Sequence, residues 1–401
     1  MKIGILGHGF IEWGGGLDFL RLVCGSLATS GEPLELHLLL PTRGPRLAAR
    51  QSLRQLKHAL KTALGRSSTL ARTPDARIVT EFVQGNQALI QAHEIDAGQR
   101  AIAAASRRLR LDALMPSVQP LDPDIGLPWL GYIADFQHAH LPHFFSEQEI
   151  AARNRNFSDM LERSRCVIVN ARAVANDIER LLPGRPAKVV AMPFSAAPNP
   201  SWFELDEPPL EKYGIHSPFF IISNQFWQHK DHLSAYRAFA RLREQHPQTQ
   251  LVCTGETSDF RNPAHFPMLC REAEALGIAS HLRVLGLIPK RDQIALMRAA
   301  RAVVQPTLFE GGPGGGSVFD AVALGVPALV SDIEVNLEID ESNVSFFKAS
   351  DADALARAMA EVLNSEPAER PAPQLLIEAG QRRRRACGDA LLAAIHELAP
   401  R

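Results

Sequence analysis

The chain has 401 residues, of which 46% are hydrophobic and 22% are charged, and this balance excludes fibrous, disordered and low-complexity proteins. Its formal net charge of -1 disfavours a strongly electropositive nucleic-acid binder. The five cysteines are scattered without a C-x-x-C pair, which argues against a disulfide framework and a structural zinc site. No stretch approaches the ~20 apolar residues that span a bilayer. We therefore expect two domains, in a cytoplasmic protein that is soluble or attached to the inner face of the cell membrane.

Short apolar runs alternate with helical patterns along the first half of the chain. Residues 3–7 form the first run, and a glycine cluster at 14–16 leads into an apolar helical pattern that begins at Leu17. A strand, a glycine-rich loop and a helix in this order open nucleotide-binding α/β units. Further apolar runs follow at residues 34–40, 112–115, 129–134 and 166–170. The pattern predicts an α/β domain with a parallel sheet.

A proline-rich stretch between residues 190 and 214 separates this half from a second α/β series. The second series begins with the apolar run at 219–222. Two α/β halves joined by a hinge are typical of enzymes that act in a central cleft. The predicted bounds are an N-terminal domain over 1–195, a hinge over 196–214, a C-terminal domain over 215–375, and a C-terminal helix over 376–401 that could pack back on the first half.

A glycine-rich motif in the second half gives the strongest chemical signal. It runs from Glu310 to Ala321 with the sequence E-G-G-P-G-G-G-S-V-F-D-A, between a predicted strand at 302–304 and a predicted helix that ends at Gly325. Ser317 is the predicted N-cap of that helix. Glycines let a ligand approach the backbone, and the N–H groups of a helix N-terminus bind phosphate. A carboxylate at each end of the motif can hold sugar or ribose hydroxyls.

The motif resembles the signature of the retaining GT-B glycosyltransferases of glycosyltransferase family 4. The segments 286–289, 303–311 and 323–332 are also similar to the C-terminal domain of that family. The resemblance implies two Rossmann-like α/β domains facing a central cleft, a nucleotide diphosphate sugar as donor, and no cofactor. It departs from the family in that nine residues separate the two acids, where seven are usual, and in that the second acid is aspartate.

The resemblance also implies roles for the residues of the motif. Glu310 is expected to hold the hydroxyls of the donor sugar, and Asp320 those of the ribose. Which backbone N–H groups meet the diphosphate depends on how the longer loop bulges, and the candidates are Gly312, Gly314, Gly315, Gly316 and Ser317. The backbone near Leu287 is expected to contact the nucleobase.

A second motif, Asn-Gln-Phe-Trp-Gln-His-Lys-Asp-His at 224–232, follows the predicted strand at 219–222. Members of the resembling family commonly have an arginine and a lysine here that clamp the donor diphosphate. Lys230 matches the lysine, whereas Gln225 stands where the arginine would be and can still donate an amide hydrogen bond. Asn224 is included as a substrate-binding residue, because the motif as a whole resembles a bacterial polysaccharide-assembly branch of the family.

Two further segments of the first half are candidates for the same site. His138 follows a predicted strand at 130–134, and the resemblance implies that it faces the donor sugar across the cleft. The cluster of His138, His140 and His143 could also suggest a metal site, but no acid–histidine helical spacing supports one, and GT-B enzymes generally work without a metal. Gly15 and Gly16 are expected to place backbone near the donor phosphates or the acceptor.

A basic segment over 42–77 contains nine lysines and arginines and one acid, with leucines at helical spacing. It could contact anionic membrane, where lipid-linked sugars reside. A solvated helix packed by its leucines explains the pattern equally well.

The expected activity is transfer of a hexose, with retained anomeric configuration, to a glycan or lipid-linked glycan, with His138 and Glu310 as catalytic residues. By resemblance, the pathway is bacterial surface polysaccharide, O-antigen or lipopolysaccharide biosynthesis. Two alternatives stay open: a catalytically idle sugar-nucleotide-binding partner of a biosynthetic complex, and a GT-B sugar-nucleotide epimerase.

Overall fold

The computed structural model describes residues 1–11, 15–41, 90–96, 98–205, 207–216, 218–366 and 369–398. A seven-stranded parallel sheet with the order β3-β2-β1-β4-β5-β6-β7 forms the N-terminal domain. Its strands are β1 (Lys2–Leu6), β2 (Glu35–Pro41), β3 (Ile90–Ile95), β4 (Ala113–Ser117), β5 (Trp129–Ile133), β6 (Cys166–Val169) and β7 (Lys188–Ala191). The helices described in this half are α1 (Gly16–Ala28), α2 (Gln99–Leu109), α3 (Gln137–His140), α4 (Glu147–Arg163) and α5 (Arg172–Leu181).

A six-stranded parallel sheet with the order β10-β9-β8-β11-β12-β13 forms the C-terminal domain. Its strands are β8 (Phe219–Ser223), β9 (Gln250–Thr254), β10 (Leu282–Val284), β11 (Val303–Gln305), β12 (Ala328–Ser331) and β13 (Val344–Phe347). The helices are α6 (His232–Gln245), α7 (His265–Ala275), α8 (Lys290–Ala299), α9 (Gly315–Ala323), α10 (Ala352–Asn364) and α11 (Pro373–His396).

The central strands are continuous apolar runs because helices cover both faces of each sheet. All four residues of β6, Cys-Val-Ile-Val, are buried, and so are all four of β12, Ala-Leu-Val-Ser. The prediction of an α/β fold with two parallel sheets is therefore confirmed.

The strand order places a binding crevice in each sheet. The order reverses between β1 and β4 in the first sheet and between β8 and β11 in the second. Ligands of open α/β sheets bind outside the carboxyl ends of the strands at such a switch point. The segments that begin at Asn224 and at Pro306 leave β8 and β11 at this point, so the two strongest motifs of the sequence are neighbours in space.

The proline-rich stretch is attached to the C-terminal domain. Ala196 and Ile215 are buried in the core of that domain. The ring of Phe194 lies 4.4 Å from that of Phe319, and the Tyr213 hydroxyl donates to Asp292 Oδ2 over 2.5 Å. Both ends of the stretch therefore pack onto the second sheet's domain.

Helix α11 joins the two domains. Arg383 donates to Glu341 Oε2 of the C-terminal domain over 2.6 Å, whereas Cys387 and Leu391 are buried in the core of the N-terminal domain. Near its end, His396 Nε2 lies 2.9 Å from Glu32 Oε1. Neither this helix nor any other in the described parts of the chain is long and apolar enough to cross a membrane.

Close packing of α11 on α1 predicts the effect of a single methyl group. A Cβ added at Gly388 would lie 2.1 Å from the carbonyl oxygen of Ser26. Gly388→Ala is therefore expected to lower the free energy of unfolding by about 1–3 kcal/mol, because the two helices must separate. Gly25→Ala on α1 is the matched control, since the nearest atom to its Cβ is 4.0 Å away. It is expected to stabilise the protein by about 0.5–1 kcal/mol. Equal shifts in the urea unfolding midpoints of both variants would contradict this packing.

Candidate active site

The glycine-rich loop crosses the cleft and contacts the N-terminal domain. A Cβ added at Gly311 would lie 3.1 Å from the carbonyl oxygen of Ala134, directly after β5. A Cβ added at Gly312 would lie 3.1 Å from the Cβ atom of Asn170, the residue directly after β6. The carboxyl ends of strands from both sheets therefore meet at this loop, and a side chain at either glycine would make its neighbour shift by a few tenths of an ångström.

A second contact between the domains lies next to the loop and was not predicted. The Glu338 carboxylate accepts hydrogen bonds from the backbone N–H groups of Arg172 (2.9 Å) and Ala173 (2.7 Å). These two residues form the first turn of α5, where unpaired N–H groups and the helix dipole favour a negative charge. The C-terminal domain thus supplies an N-terminal cap for a helix of the N-terminal domain.

Glu310 lies in a buried polar cluster at the centre of the cleft. Lys230 Nζ is 2.5 Å from Glu310 Oε1, and the two side chains are only 9% and 10% exposed. Gln305 Nε2 donates to the same oxygen over 2.8 Å. The structure thus brings together the predicted residues Lys230 and Glu310 and adds Gln305, a fully buried amide at the end of β11.

Gln305 connects two further predicted residues to this cluster. Its Oε1 accepts hydrogen bonds from Asn224 Nδ2 and from Ser317 Oγ, the latter over 2.9 Å. Both donors are buried. Their side chains therefore hold Gln305 in place, while Lys230 and Glu310 supply the charges of the cluster. The only signal for Gln305 in the sequence is a polar residue that ends a buried strand.

The prediction that Ser317 caps α9 is wrong. The helix begins three residues earlier, at Gly315, and its N-cap is Gly314, which has the positive φ of 69° that glycine adopts without strain. The N–H group of Gly314 donates to Asn336 Oδ1 over 2.8 Å. The first turn consists of Gly315, Gly316 and Ser317, and first-turn N–H groups have no intrahelical acceptor. These three are the candidate donors for a phosphate.

Asp320 is already paired in the structure. It is 8% exposed, and Lys290 Nζ donates to its Oδ2. Burial raises the pKa of the Asp320 carboxyl, and the charge of Lys290 opposes that shift. Lys290 was not predicted, since it lies 30 residues before Asp320, and its side chain is half-exposed. A ribose hydroxyl that bound Asp320 would share the carboxylate with this ammonium group.

Two predicted binding residues are exposed beyond the carboxyl ends of strands of the second sheet. Gln225 is exposed directly after Asn224, and Leu287 is 74% exposed. The neighbouring Gly286 carbonyl accepts hydrogen bonds from Gly255 N and Thr254 Oγ1. That bonding fixes the backbone beside Leu287, which is the part expected to contact a nucleobase.

His138 is buried behind the cleft surface. It is 1% exposed, its Nε2 lies 2.8 Å from Asn154 Oδ1, and its ring lies against those of Phe136 and Phe157. Burial lowers the pKa of the imidazole, which favours the neutral form. Its Nδ1 has no hydrogen-bond partner among the described residues. A sugar hydroxyl would reach that atom only after a shift of the surrounding side chains.

The three histidines of this segment point to different partners. His138 pairs with Asn154, His140 Nε2 lies 2.6 Å from Asp177 Oδ2, and the His143 ring lies 4.2 Å from that of Phe144. Within the described ranges no group of three or more histidines, cysteines or acids could hold a metal ion.

Gly16 has a structural reason to be glycine. It begins α1, and an added Cβ would lie 2.1 Å from the carbonyl oxygen of Phe10. Gly15, the residue before it, is exposed and is the N-cap of α1. The predicted ligand contact of these two glycines stays a prediction. The basic segment over 42–77 lies outside the described residues.

Comparison with known proteins shows what the segment that contains this site is similar to. Residues 211–383 match the model of the family described as glycosyl transferases group 1, and the match includes Lys230, Glu310 and Asp320. Residues 211–383 are thus similar to the group 1 glycosyltransferase family, and the predicted family resemblance is confirmed. A search of curated proteins gives no match.

Solved structures share the fold over the whole chain. Sucrose-phosphate synthase from Thermosynechococcus elongatus is 16% identical with a TM-score of 0.59, over 99% of this chain and 94% of that one. Anabaena HepE in complex with UDP and glucose is 15% identical with a TM-score of 0.57, over 99% and 95%. WaaG, a glycosyltransferase of lipopolysaccharide biosynthesis, is 15% identical with a TM-score of 0.56, over 98% of each chain. The two-domain GT-B fold is thereby confirmed.

Proposed function

We propose that this protein transfers a hexose from a nucleotide diphosphate sugar to a hydroxyl of a glycan or lipid-linked glycan, with retained anomeric configuration. The observation that carries the proposal is the buried Lys230–Glu310 pair, which lies at the switch point of the second sheet beside the glycine-rich N-terminus of α9. It combines a cation for a diphosphate with a carboxylate for sugar hydroxyls. The HepE structures with UDP and with UDP-glucose support a nucleotide-sugar donor.

The proposed step needs a stabilised leaving group. The acceptor oxygen forms a bond to the anomeric carbon as the bond from that carbon to the diphosphate oxygen breaks. The nucleoside diphosphate leaves with the electron pair, and the proton of the acceptor hydroxyl passes to the departing oxygen on the same face. Lys230, Gln225 and the first-turn N–H groups of α9 stabilise the growing negative charge, which is where electrostatic catalysis acts.

The remaining predicted residues position the donor. Glu310 accepts hydrogen bonds from sugar hydroxyls, and Asp320 with Lys290 holds the ribose. His138 is neutral and orients the reacting sugar from the N-terminal domain once the surrounding side chains shift and expose its Nδ1. Domain closure excludes water and thereby favours transfer over hydrolysis. No cofactor and no metal enter the step.

The proposed pathway is bacterial surface polysaccharide or lipopolysaccharide assembly at the cytoplasmic face of the membrane. It is supported by the likeness in fold to WaaG and by the resemblance of the 224–232 motif to polysaccharide-assembly enzymes.

A thermal-shift and hydrolysis screen with UDP-, GDP- and ADP-glucose tests the proposal. One nucleotide sugar is expected to raise the melting temperature and to be hydrolysed slowly, and Glu310→Gln is expected to lose both effects because its carboxylate contacts the sugar. Glu361→Gln, an exposed glutamate on α10, is the matched control and should retain both.

Each other outcome of the screen excludes the proposal in a recognisable way. No shift with any of the three nucleotide sugars would contradict a transferase. A shift without turnover, even with lipid-linked acceptors present, would favour the idle binding partner. Appearance of the epimeric nucleotide sugar in the NMR spectrum of the reaction would identify an epimerase.

A further inference from the structure

A cavity of about 360 Å³ lies between the two domains, beside the candidate active site. Its walls combine arginines with aromatic rings from both sides of the cleft. The lining residues are His143, Phe144, Phe145, Glu149 and Arg153 of the N-terminal domain, and Phe260 and Arg261 of the C-terminal domain. We refer to it as the arginine cavity.

Two guanidinium groups converge on one ring in the arginine cavity. Arg153 Cζ and Arg261 Cζ each lie 4.8 Å from the centroid of the Phe145 ring. Arg261 also lies 5.2 Å from the ring of Phe260. Burial lowers the pKa of Arg261; the charge of Asp259 opposes that shift, and the charge of Arg153 adds to it. The aromatic faces attract the two cations, but they do not neutralise their charges.

The polar contacts of the two guanidinium groups leave room for an anion. Arg153 Nη1 forms an ion pair with Asp135 Oδ1 at 3.7 Å, a distance too long for a hydrogen bond. Arg261 Nη1 donates to Gln137 Oε1, a neutral amide, over 3.2 Å. An arginine has five N–H donors, so each guanidinium group can donate further hydrogen bonds to a ligand.

The two other acids of this region accept hydrogen bonds from groups other than the two arginine side chains. Glu149 Oε2 accepts from both the N–H and the hydroxyl of Ser146, each over 2.8 Å. Asp259 accepts from the backbone N–H groups of Arg261 (2.9 Å) and Gln228 (3.3 Å). These carboxylates moderate the positive field of the cavity, while their hydrogen bonds come from backbone N–H groups and from the Ser146 hydroxyl.

The arginine cavity borders both segments that are expected to face the donor. The Phe145 ring lies 6.2 Å from that of His138, and the Phe144 ring lies 6.2 Å from that of His229. Arg261 Cζ lies 5.8 Å from the ring of Trp227, in the motif that contains Lys230. A ligand in this cavity would therefore lie next to a donor sugar.

On the basis of the proposed glycosyl transfer, we propose that the arginine cavity binds the acceptor through an anionic substituent, a phosphate or a carboxylate carried by its sugar. The planar donors of Arg153 and Arg261 match the oxygens of either anion. The rings of Phe145 and Phe260, the latter 75% exposed, supply the apolar surface against which a sugar ring packs. Because each domain provides one arginine, binding of the anion also favours domain closure.

Calorimetric titration of the full chain with glucose 6-phosphate, glucuronic acid and glucose tests this proposal. At least one anionic sugar is expected to bind more tightly than glucose by about tenfold to a hundredfold, as hydrogen bonds to charged groups contribute. Arg153→Gln and Arg261→Gln are each expected to remove most of that advantage. Arg153→Lys, which keeps the charge but not the planar fork, should retain part of it. Arg155→Gln, an exposed arginine on the same helix, is the matched control and should retain all of it.

The outcomes distinguish a phosphate from a carboxylate as the anion. They also distinguish a failure of the anionic-acceptor proposal from a failure of the proposed glycosyl transfer. Preference for glucose 6-phosphate indicates a phosphorylated acceptor, and preference for glucuronic acid an acidic sugar. Equal affinity for all three sugars in the wild-type protein, or an advantage that survives both glutamine variants, would overturn the anionic acceptor. The titration contains no donor, so a negative result here is separate from a failure of the nucleotide-sugar screen.

Discussion

Replacement of Lys230 by methionine is expected to lower the free energy of unfolding by about 3–5 kcal/mol, because it leaves a buried carboxylate without its partner. The Glu310 side chain is only 10% exposed, so water cannot compensate for the lost ammonium group. The same variant is expected to lower kcat by about 10²–10³, since a preorganised charge at the leaving group is removed. Urea unfolding and the rate of transfer measure the two effects separately.

A second variant separates stability from chemistry at this site. The double replacement Lys230→Met with Glu310→Gln removes both charges and should regain most of the lost stability, but none of the lost activity. Lys188→Met is the matched control for stability, because its partner Glu397 is also on the surface, with side chains 55% and 38% exposed. An exposed pair contributes about 0–1 kcal/mol. If Lys230→Met is no more destabilising than Lys188→Met, the pair in the cleft is not desolvated.

Replacement of His232 by phenylalanine is expected to make the protein more resistant to acid. His232 is fully buried, its ring stacks 4.2 Å from that of Phe226, and neither ring nitrogen has a hydrogen-bond partner among the described residues. Burial lowers its pKa to about 3. Since an unpartnered polar ring contributes little, a phenylalanine of similar shape should cost little at neutral pH.

The direction of the effect follows from proton uptake. Between the folded pKa of about 3 and the unfolded value of 6.5, the unfolded chain binds a proton that the folded chain does not, so stability falls as the pH falls. From about pH 7 to about pH 4.5, the advantage of His232→Phe over the wild-type protein is expected to grow by about 2–3 kcal/mol. Urea unfolding at both pH values measures it. His216→Phe, at an exposed site, is the control, and a constant difference for His232→Phe would show that His232 is protonated alike in both states.

The fold could be predicted because its signals are local. Continuous apolar runs such as 219–222 and 166–169 predict buried strands, and their alternation with helical patterns predicts parallel sheets. The glycine-rich loop after β11 is also a local signal, because a strand, glycines and a helix in this order leave few other structures. The switch point of the second sheet then brings Lys230 to Glu310, although they lie 80 positions apart in the sequence.

The parts that could not be predicted depend on tertiary contacts. Nothing local in the sequence pairs Lys290 with Asp320 or places Arg153 and Arg261 of different domains on one ring. The prediction of an N-cap at Ser317 was wrong because Gly314 adopts a positive φ and is itself the N-cap. The helix therefore begins before Ser317. The enclosure of His138 by Phe136 and Phe157 arises from packing that a single sequence does not reveal.

Helix α11 has a consequence for how the protein is made. Its residues from Cys387 onward complete the core around α1, yet the ribosome adds them only after the entire C-terminal domain. During synthesis the N-terminal half therefore exposes an apolar surface until α11 is made, and exposed surfaces of this kind bind chaperones and promote aggregation. A recombinant fragment that ends at the proline-rich stretch would keep that surface exposed permanently. The first seven strands become a finished domain only when the second domain has already been translated.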